Sequence, residues 1–241
     1  MTLSNQILDH LNVVKAERGA RNDGPGLDAK VRAIKVYQQL RFRHTYADML
    51  VSERYGPAAH FFLDELYGPS DFSRRDAEFA RVVPTMVRLF PVEITETVAA
   101  LAELHALSER LDTSMGRELQ QTPVDAVGYV KAWQATGNSP ARTRQIELTL
   151  DVAGALEELT RRSLLRNTLR LMRQPARAAG LAELQRFLER GFDTFKAMNG
   201  AREFIAVVGA RERALAAALF GATIRDTGAP LRSGEVFELL P

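Results

Sequence analysis

The sequence contains no cysteine, and this absence removes several classes of function. Disulfide frameworks, thiolate nucleophiles and zinc or iron–sulfur sites held by cysteine are excluded. Fingerprints of other chemistries are missing as well, because there is no Gly-x-Gly-x-x-Gly loop, no phosphate-binding loop lysine and no Gly-x-Ser-x-Gly elbow. We therefore assign no catalytic residue and no cofactor, and we expect a protein without enzymatic activity.

Excess charge and long apolar runs are also lacking. The 32 basic and 30 acidic residues leave a net charge of only +2, so we expect no sequence-specific nucleic-acid partner. No apolar run approaches the roughly 20 residues of a transmembrane helix. The first residues do not combine a basic segment with an apolar one, which would mark a secretory signal. These absences predict a cytoplasmic protein without a transmembrane segment.

The sequence does contain apolar side chains spaced every three or four residues along nearly its whole length, without convincing β alternation. This spacing predicts an all-α fold, a single-domain irregular bundle of eight to ten helices over 1–220. An irregular tail, 221–241, is expected to dock on the body. The predicted helices are 4–17, 27–54, 58–67, 73–90, 93–115, 123–135, 141–173, 181–198 and 201–220.

Three places are predicted to interrupt this regular pattern. The glycine-rich composition of 19–26 favours a loop. Pro84 lies inside the apolar pattern of 73–90, so we expect a kink or a break there. The apolar stripe of 141–173 changes sides near residue 160, which predicts a bend or a break around 161–163.

The least generic stretch is 60–72, the aromatic-acidic segment. Helical spacing places Phe61 and Phe62 on different sides, so we expect a short helix held between neighbours, with its acids paired to Arg74 or Arg75. The segment is either a buried hub or a pocket or partner surface built from aromatic side chains. Its candidate binding residues are Phe61, Phe62, Asp64, Glu65 and Tyr67.

The run 61–67, followed by Gly68-Pro69 and by 71–73, resembles the signature of the bacterial "FFLEELY motif" proteins. Asp64 stands where that motif has glutamate, and the likeness is strongest over 55–91. The resemblance implies a recurrent bacterial helical protein whose family has no assigned activity, ligand or catalytic residue. No site residue follows from it.

Three of the four histidines have an acidic residue four positions later. The pairs are His44–Asp48, His60–Asp64 and His105–Glu109. Such pairs share a helix face and can bind a metal, which gives the alternative of a metal-dependent oxidase of ferritin-like or haem-oxygenase-like build. We favour a structural role for His105, because it lies on the apolar face of its helix.

A basic face is the third candidate, and no acidic residue occurs between Glu158 and Glu183. Five arginines fall within a narrow arc, and four apolar residues lie opposite. The arginines are Arg162, Arg166, Arg170, Arg173 and Arg177; the apolar residues are Leu164, Leu165, Leu171 and Met172. This pattern suits a phosphate-rich partner or an acidic membrane surface, or else a solvated face with pairs such as Glu158–Arg162.

The leading interpretation is a non-enzymatic cytoplasmic protein that binds another protein or a small acidic or amphipathic ligand. It would use the aromatic-acidic segment and the basic face, and a homo-oligomer is compatible with this role. The alternatives are the metal-dependent oxidase and a carrier of haem or lipid with an apolar cavity.

Overall fold

The computed structural model describes residues 2–65, 72–224 and 238–241, and within these ranges it has twelve helices and no strand. The helices are α1 (Leu3–Asp23), α2 (Leu27–Thr45), α3 (Ala47–Leu50), α4 (Gly56–Glu65), α5 (Ser73–Leu89), α6 (Val92–Glu118), α7 (Ala126–Thr136), α8 (Ser139–Thr160), α9 (Ser163–Leu171), α10 (Arg173–Ala178), α11 (Ala182–Ala197) and α12 (Arg202–Gly221). The all-α prediction is confirmed for the described part of the chain. Its helices outnumber the eight to ten expected because the predicted helices 27–54 and 141–173 are both divided and because the short helix α10 was not predicted.

Helix α1 is longer than the sequence pattern predicts. It continues to Asp23, so the predicted loop over 19–26 is wrong in its first half. The buried side chain of Arg21 donates hydrogen bonds to the backbone oxygen of Glu109 at 2.9 Å and to the hydroxyl of Thr113 at 3.0 Å. These bonds to α6 hold the last turn of α1 in place despite its weak helix-forming composition.

Helix α2 is shorter than predicted, because the chain leaves the helical conformation at Tyr46 rather than near residue 54. Tyr46 has φ −117° and ψ 26°, and its hydroxyl donates to Oε1 of Glu212 on α12 at 2.7 Å. The short helix α3 follows before α4 begins at Gly56. A bond to a distant helix thus fixes the point at which α2 ends.

Two further interruptions were predicted. At Pro84 the expectation was a kink or a break, and the break does not occur, because α5 continues through this position. Pro84 is exposed, so the carbonyl that loses its helical partner can bind water. The break predicted around 161–163 is confirmed, since Arg162 has an extended backbone (φ −82°, ψ 98°) between α8 and α9.

The remaining helix ends differ from their predicted positions by three residues or fewer, within the range open to sequence patterns. One such difference is at α7, which was expected to start at Pro123. Asp125 caps the helix instead, because its carboxylate accepts a hydrogen bond from the backbone N–H of Gly128 at 2.7 Å.

Among the described residues, buried apolar side chains form three clusters, and α6 contributes to two of them while packing against α1, α2, α7 and α8. One cluster lies between α2, α6, α7 and α12 and includes Ile34 and Met115. Another joins α4, α8, α11 and α12 and includes Phe62 and Phe195. The third lies between α1, α5 and α6 around Val83. Across the described residues, no helix has both the length and the apolar character needed to cross a bilayer.

Two predicted features fall largely outside the described residues. Tyr67 lies in 66–71, and most of the predicted tail lies in 225–237. Leu240, beyond the second gap, is buried in the cluster between α2, α7 and α12. The division into a helical body and a docked tail stays a prediction.

Candidate functional site

The aromatic residues of α4 are part of the core. Phe61 is buried, and its ring lies 5.5 Å from that of Phe187 on α11. Phe62 lies between the rings of Phe195 at 5.8 Å and Phe204 at 5.9 Å. The two neighbouring phenylalanines therefore face different partners, as their helical spacing predicts. Their contacts hold α4 against both α11 and α12.

The acids of the same segment face arginines on two other helices. Arg190 on α11 lies 2.7 Å from Oε1 of Glu65 and 3.4 Å from Oδ2 of Asp64. Glu65 also accepts from Arg75 on α5 at 3.5 Å, which confirms one of the two arginine partners expected from the sequence. Arg74 makes its ion pair within its own helix. The acids thus help to hold α4 between α5 and α11.

Glu109 lies at the centre of a buried charge network between α1, α2 and α6. Its carboxylate accepts hydrogen bonds from Arg21 at 2.5 Å, Lys35 at 2.8 Å and Arg18 at 3.2 Å. Burial alone would raise the pKa of Glu109, but the charges of Lys35, Arg21 and Arg18 lower this pKa to about 2. The carboxylate suggested by its spacing as a metal ligand is therefore engaged by three cations.

The histidine–acid pairs are not brought together at one place. His105 contacts Asp76 on α5, with 2.9 Å between Nε2 and Oδ2. His60 is exposed on α4, and the ring of His44 lies near the tail, 3.0 Å from the backbone oxygen of Glu238. No group of three or more histidine, aspartate or glutamate side chains among the described residues is arranged to hold a metal ion. The oxidase alternative stays a hypothesis.

The arginine stripe divides between α9 and α10, and part of it faces the protein. Arg166 lies 2.7 Å from Oδ1 of Asp193, and Arg173 lies 2.6 Å from Oε1 of Glu189. Both acids belong to α11. Arg166 is partly buried in its pair, whereas Arg173 remains exposed, and the acids of both pairs come from another helix. The interpretation of the stripe as a solvated face stays a prediction.

The opposite side of this region faces water. Leu164 is 78% exposed, Leu171 is 79% exposed and Met172 is 46% exposed. The other three arginines of the stripe are exposed too, and they form no ion pair with a described residue. They are Arg162, Arg170 and Arg177. An apolar strip flanked by cations thus lies on the outer surface of α9 and α10.

The break between α8 and α9 helps to set this orientation. Arg162 has an extended backbone at this break, and it forms no ion pair with Glu158. Arg161 pairs with Glu157 instead, at 2.6 Å. Helix α9 is then free to present its arginines to α11.

A narrow cleft between α8 and α12 was not predicted at all. Its walls are mostly apolar and include Phe62 and Trp133, while Arg41, Arg142 and Glu212 supply its charged groups. Arg41 and Arg142 are buried, which is uncommon for arginine, but their burial is visible only in the structure. Trp133 is buried there.

A family model described as "Domain of unknown function (DUF8198)" matches residues 17–225. The chain belongs to this family. The matched range includes the positions of both the aromatic-acidic segment and the basic face. The comparisons with curated proteins and with solved structures gave no match. The resemblance to the "FFLEELY motif" proteins stays a prediction.

Proposed function

We propose that the protein is a non-enzymatic peripheral binding protein that docks on an anionic membrane surface, on its cytoplasmic side. The docking surface, here called the α9 face, combines exposed apolar side chains with exposed arginines on α9 and α10. It consists of Arg162, Leu164, Arg170, Leu171, Met172 and Arg177. The observation that carries the proposal is that these leucines face water while two other arginines of the same stripe, Arg166 and Arg173, are paired with α11.

The apolar part of the α9 face favours insertion of the helix into the bilayer interface. Leu164 and Leu171 lie two helical turns apart on one side of α9, and both are almost fully exposed. Moving a leucine side chain from water into an apolar environment is favourable by about 1.5 to 3 kcal/mol. A helix lying in a bilayer interface buries such a stripe about 5 to 10 Å below the headgroups.

The charged part of the α9 face favours anionic lipids. Every charged side chain between Glu158 and Glu183 is an arginine, so no acid on this stretch repels phosphate groups. Each cation close to an anionic leaflet contributes about 1 kcal/mol at physiological salt. A bilayer satisfies both parts of the face at once, whereas an acidic protein surface would satisfy only the arginines.

The aromatic-acidic segment has a supporting role in this proposal. Phe61 and Glu65 contact α11, and α11 in turn holds Arg166 and Arg173 of the stripe. The segment that resembles the "FFLEELY motif" would therefore position the docking surface without touching the membrane.

Co-sedimentation with lipid vesicles tests the proposal. We expect the protein to sediment with phosphatidylglycerol-containing vesicles, not with pure phosphatidylcholine vesicles, and to be released as salt is raised. The double change Leu164→Glu and Leu171→Glu should abolish sedimentation, because it removes the apolar stripe and adds repulsion. A matched control is Leu89→Glu with Val92→Glu, since these side chains are 67% and 59% exposed at the junction of α5 and α6.

A second pair of variants isolates the charges. Changing the three exposed arginines of the α9 face to glutamine should weaken binding to anionic vesicles by roughly a hundredfold. Changing the exposed arginines Arg43, Arg88 and Arg117 to glutamine alters the net charge equally and should leave binding nearly intact. Equal losses in the two triple variants, or unchanged binding after the leucine changes, would contradict docking through the α9 face.

A further inference from the structure

Methionine is the only sulfur-containing residue type in this chain, which has six methionines and no cysteine. The first methionine lies outside the described residues. Met86 is partly buried between α1, α5 and α6, while Met172 is 46% exposed. The other three are at most 5% exposed, and they are Met49, Met115 and Met198. Among the described methionines, Met172 is therefore the one most accessible to a reagent dissolved in water.

Met172 belongs to the α9 face and joins α9 to α10. Its backbone N–H donates to the oxygen of Thr168 at 3.0 Å, and its own backbone oxygen accepts from the N–H of Ala176 at 2.8 Å. The backbone is thus helical through this residue, which places its side chain roughly 80° around the helix axis from Leu164. The accessible thioether is therefore part of the same apolar strip as the exposed leucines.

A hydroperoxide converts a methionine thioether to a sulfoxide. A bond forms between sulfur and one peroxide oxygen as the O–O bond breaks. With hydrogen peroxide, the proton of the transferred hydroxyl goes to the leaving oxygen and gives water. Sulfur is oxidised by two electrons and the peroxide is reduced by two. The product is polar, and a polar group is costly to place in an apolar layer without a hydrogen-bond donor.

We propose that Met172 is an oxidation site through which hydroperoxides release the protein from the membrane. This inference rests on the proposed docking through the α9 face. In the reduced protein the thioether enters the bilayer interface together with Leu164 and Leu171. The sulfoxide stays in water and opposes insertion of the helix at this end of α9. Oxidation leaves the arginines of the face unchanged, so binding weakens and is not abolished.

Peptide mass spectrometry after treatment with hydrogen peroxide tests the oxidation site. We expect Met172 to gain one oxygen atom at least tenfold faster than Met115, which is fully buried. Vesicles containing phosphatidylglycerol should slow the reaction at Met172, because a site that binds more weakly when oxidised is protected when bound. The rate at Met86 should not change with vesicles. Equal rates at Met172 and Met115 would overturn the assignment.

Co-sedimentation with the same vesicles tests the release. Protein oxidised at Met172 should bind roughly tenfold more weakly, and methionine sulfoxide reductase with a thiol reductant should restore binding. Met172→Leu should bind equally well before and after peroxide, whereas the control Met86→Leu should lose affinity on oxidation as the wild-type protein does. Full affinity after oxidation of Met172, or equal losses in the two variants, would overturn the release.

The docking proposal and this inference have separate failures. If the untreated protein does not sediment with anionic vesicles, docking is wrong and the release is wrong with it, while the peptide rates still decide whether Met172 is the oxidation site. If the untreated protein sediments and oxidation of Met172 changes nothing, docking stands and only the release is wrong.

Discussion

Two regions of the molecule use arginine in opposite ways. Between α1, α2 and α6, the buried Arg21 and its neighbours converge on Glu109, and the carboxylate is engaged by three cations. On α9 and α10, exposed arginines such as Arg170 flank leucines that also face water. The presence of arginine alone does not separate the regions, because both contain it.

The two regions differ in the position of the acids that pair with their arginines. A buried charge must be paired, and the pair then fixes the helices that carry it. An exposed cation without a partner contributes little to the free energy of folding, so it remains available for an external anion. The first region should therefore govern stability, and the second should govern binding.

Replacing Glu109, the central acid of the first region, should give the largest loss in the free energy of unfolding. Glu109→Gln leaves Arg21 buried without its carboxylate, and removal of one partner from a buried pair costs about 3 to 5 kcal/mol. Urea unfolding measures this loss. The expected control is Glu103→Gln, whose partner Arg144 is largely exposed, and which should cost less than about 1 kcal/mol. Similar losses in the two variants would contradict the contrast.

A matched pair of leucines compares the regions directly. Leu111→Ala in α6 removes a buried side chain and should lower the free energy of unfolding by about 3 kcal/mol. Leu171→Ala on the α9 face should change it by less than about 0.5 kcal/mol, because the side chain already contacts water. A large loss from Leu171→Ala would mean that this leucine is covered in the folded protein.

The pH dependence of the free energy of unfolding should reflect the protonation of Glu109. Because its folded pKa is lowered to about 2, its contribution is complete above the ordinary glutamate pKa near 4.5 and is lost as pH falls toward 2. The loss is at most about 3 kcal/mol. The wild-type protein should therefore lose its advantage over Glu109→Gln across this pH range. Burial raises the pKa of Asp112, which acts in the opposite direction in both proteins. A constant difference between the two curves would contradict the lowered pKa.

Two glycine substitutions, one at a tightly packed position and one at an open position, should have the smallest effects on stability. A Cβ on Gly116 of α6 would lie 2.5 Å from Cγ2 of Val31 on α2, so Gly116→Ala should cost about 1 to 3 kcal/mol. A Cβ on Gly154 of α8 meets no heavy atom within 4 Å, and Gly154→Ala should stabilise by about 0.5 to 1 kcal/mol. Thermal unfolding should show shifts of opposite sign, and shifts of the same sign would contradict the close approach of α6 and α2.

The fold class and the break before α9 were open to prediction because both depend on local spacing. The apolar stripe of 141–173 changes sides, and no straight helix could bury both halves. The spacing also places Phe61 and Phe62 on different sides of a short helix. Both rings can then be buried only if the helix has neighbours on two sides, as the sequence predicted.

Interactions between distant parts of the chain were not open to prediction. The end of α1 depends on Arg21 meeting α6, and the end of α2 depends on Tyr46 meeting α12. The orientation of α9 depends on Asp193 and Glu189, which belong to another helix. The cleft is formed by side chains from five helices at once. A periodicity shows which side of a helix is apolar, but not which helix will cover it.

Helix α11 has no spare room on the side that meets α4. A Cβ at Gly191 would come within 3.0 Å of Cζ of Phe61, while the other side of α11 carries the acids that hold Arg166 and Arg173. Any bulkier residue at Gly191 must push the ring or the whole helix aside. Because these acids belong to the same helix as Gly191, a methyl group added at Gly191 in the interior would also displace the ion pairs of Arg166 and Arg173 near the surface.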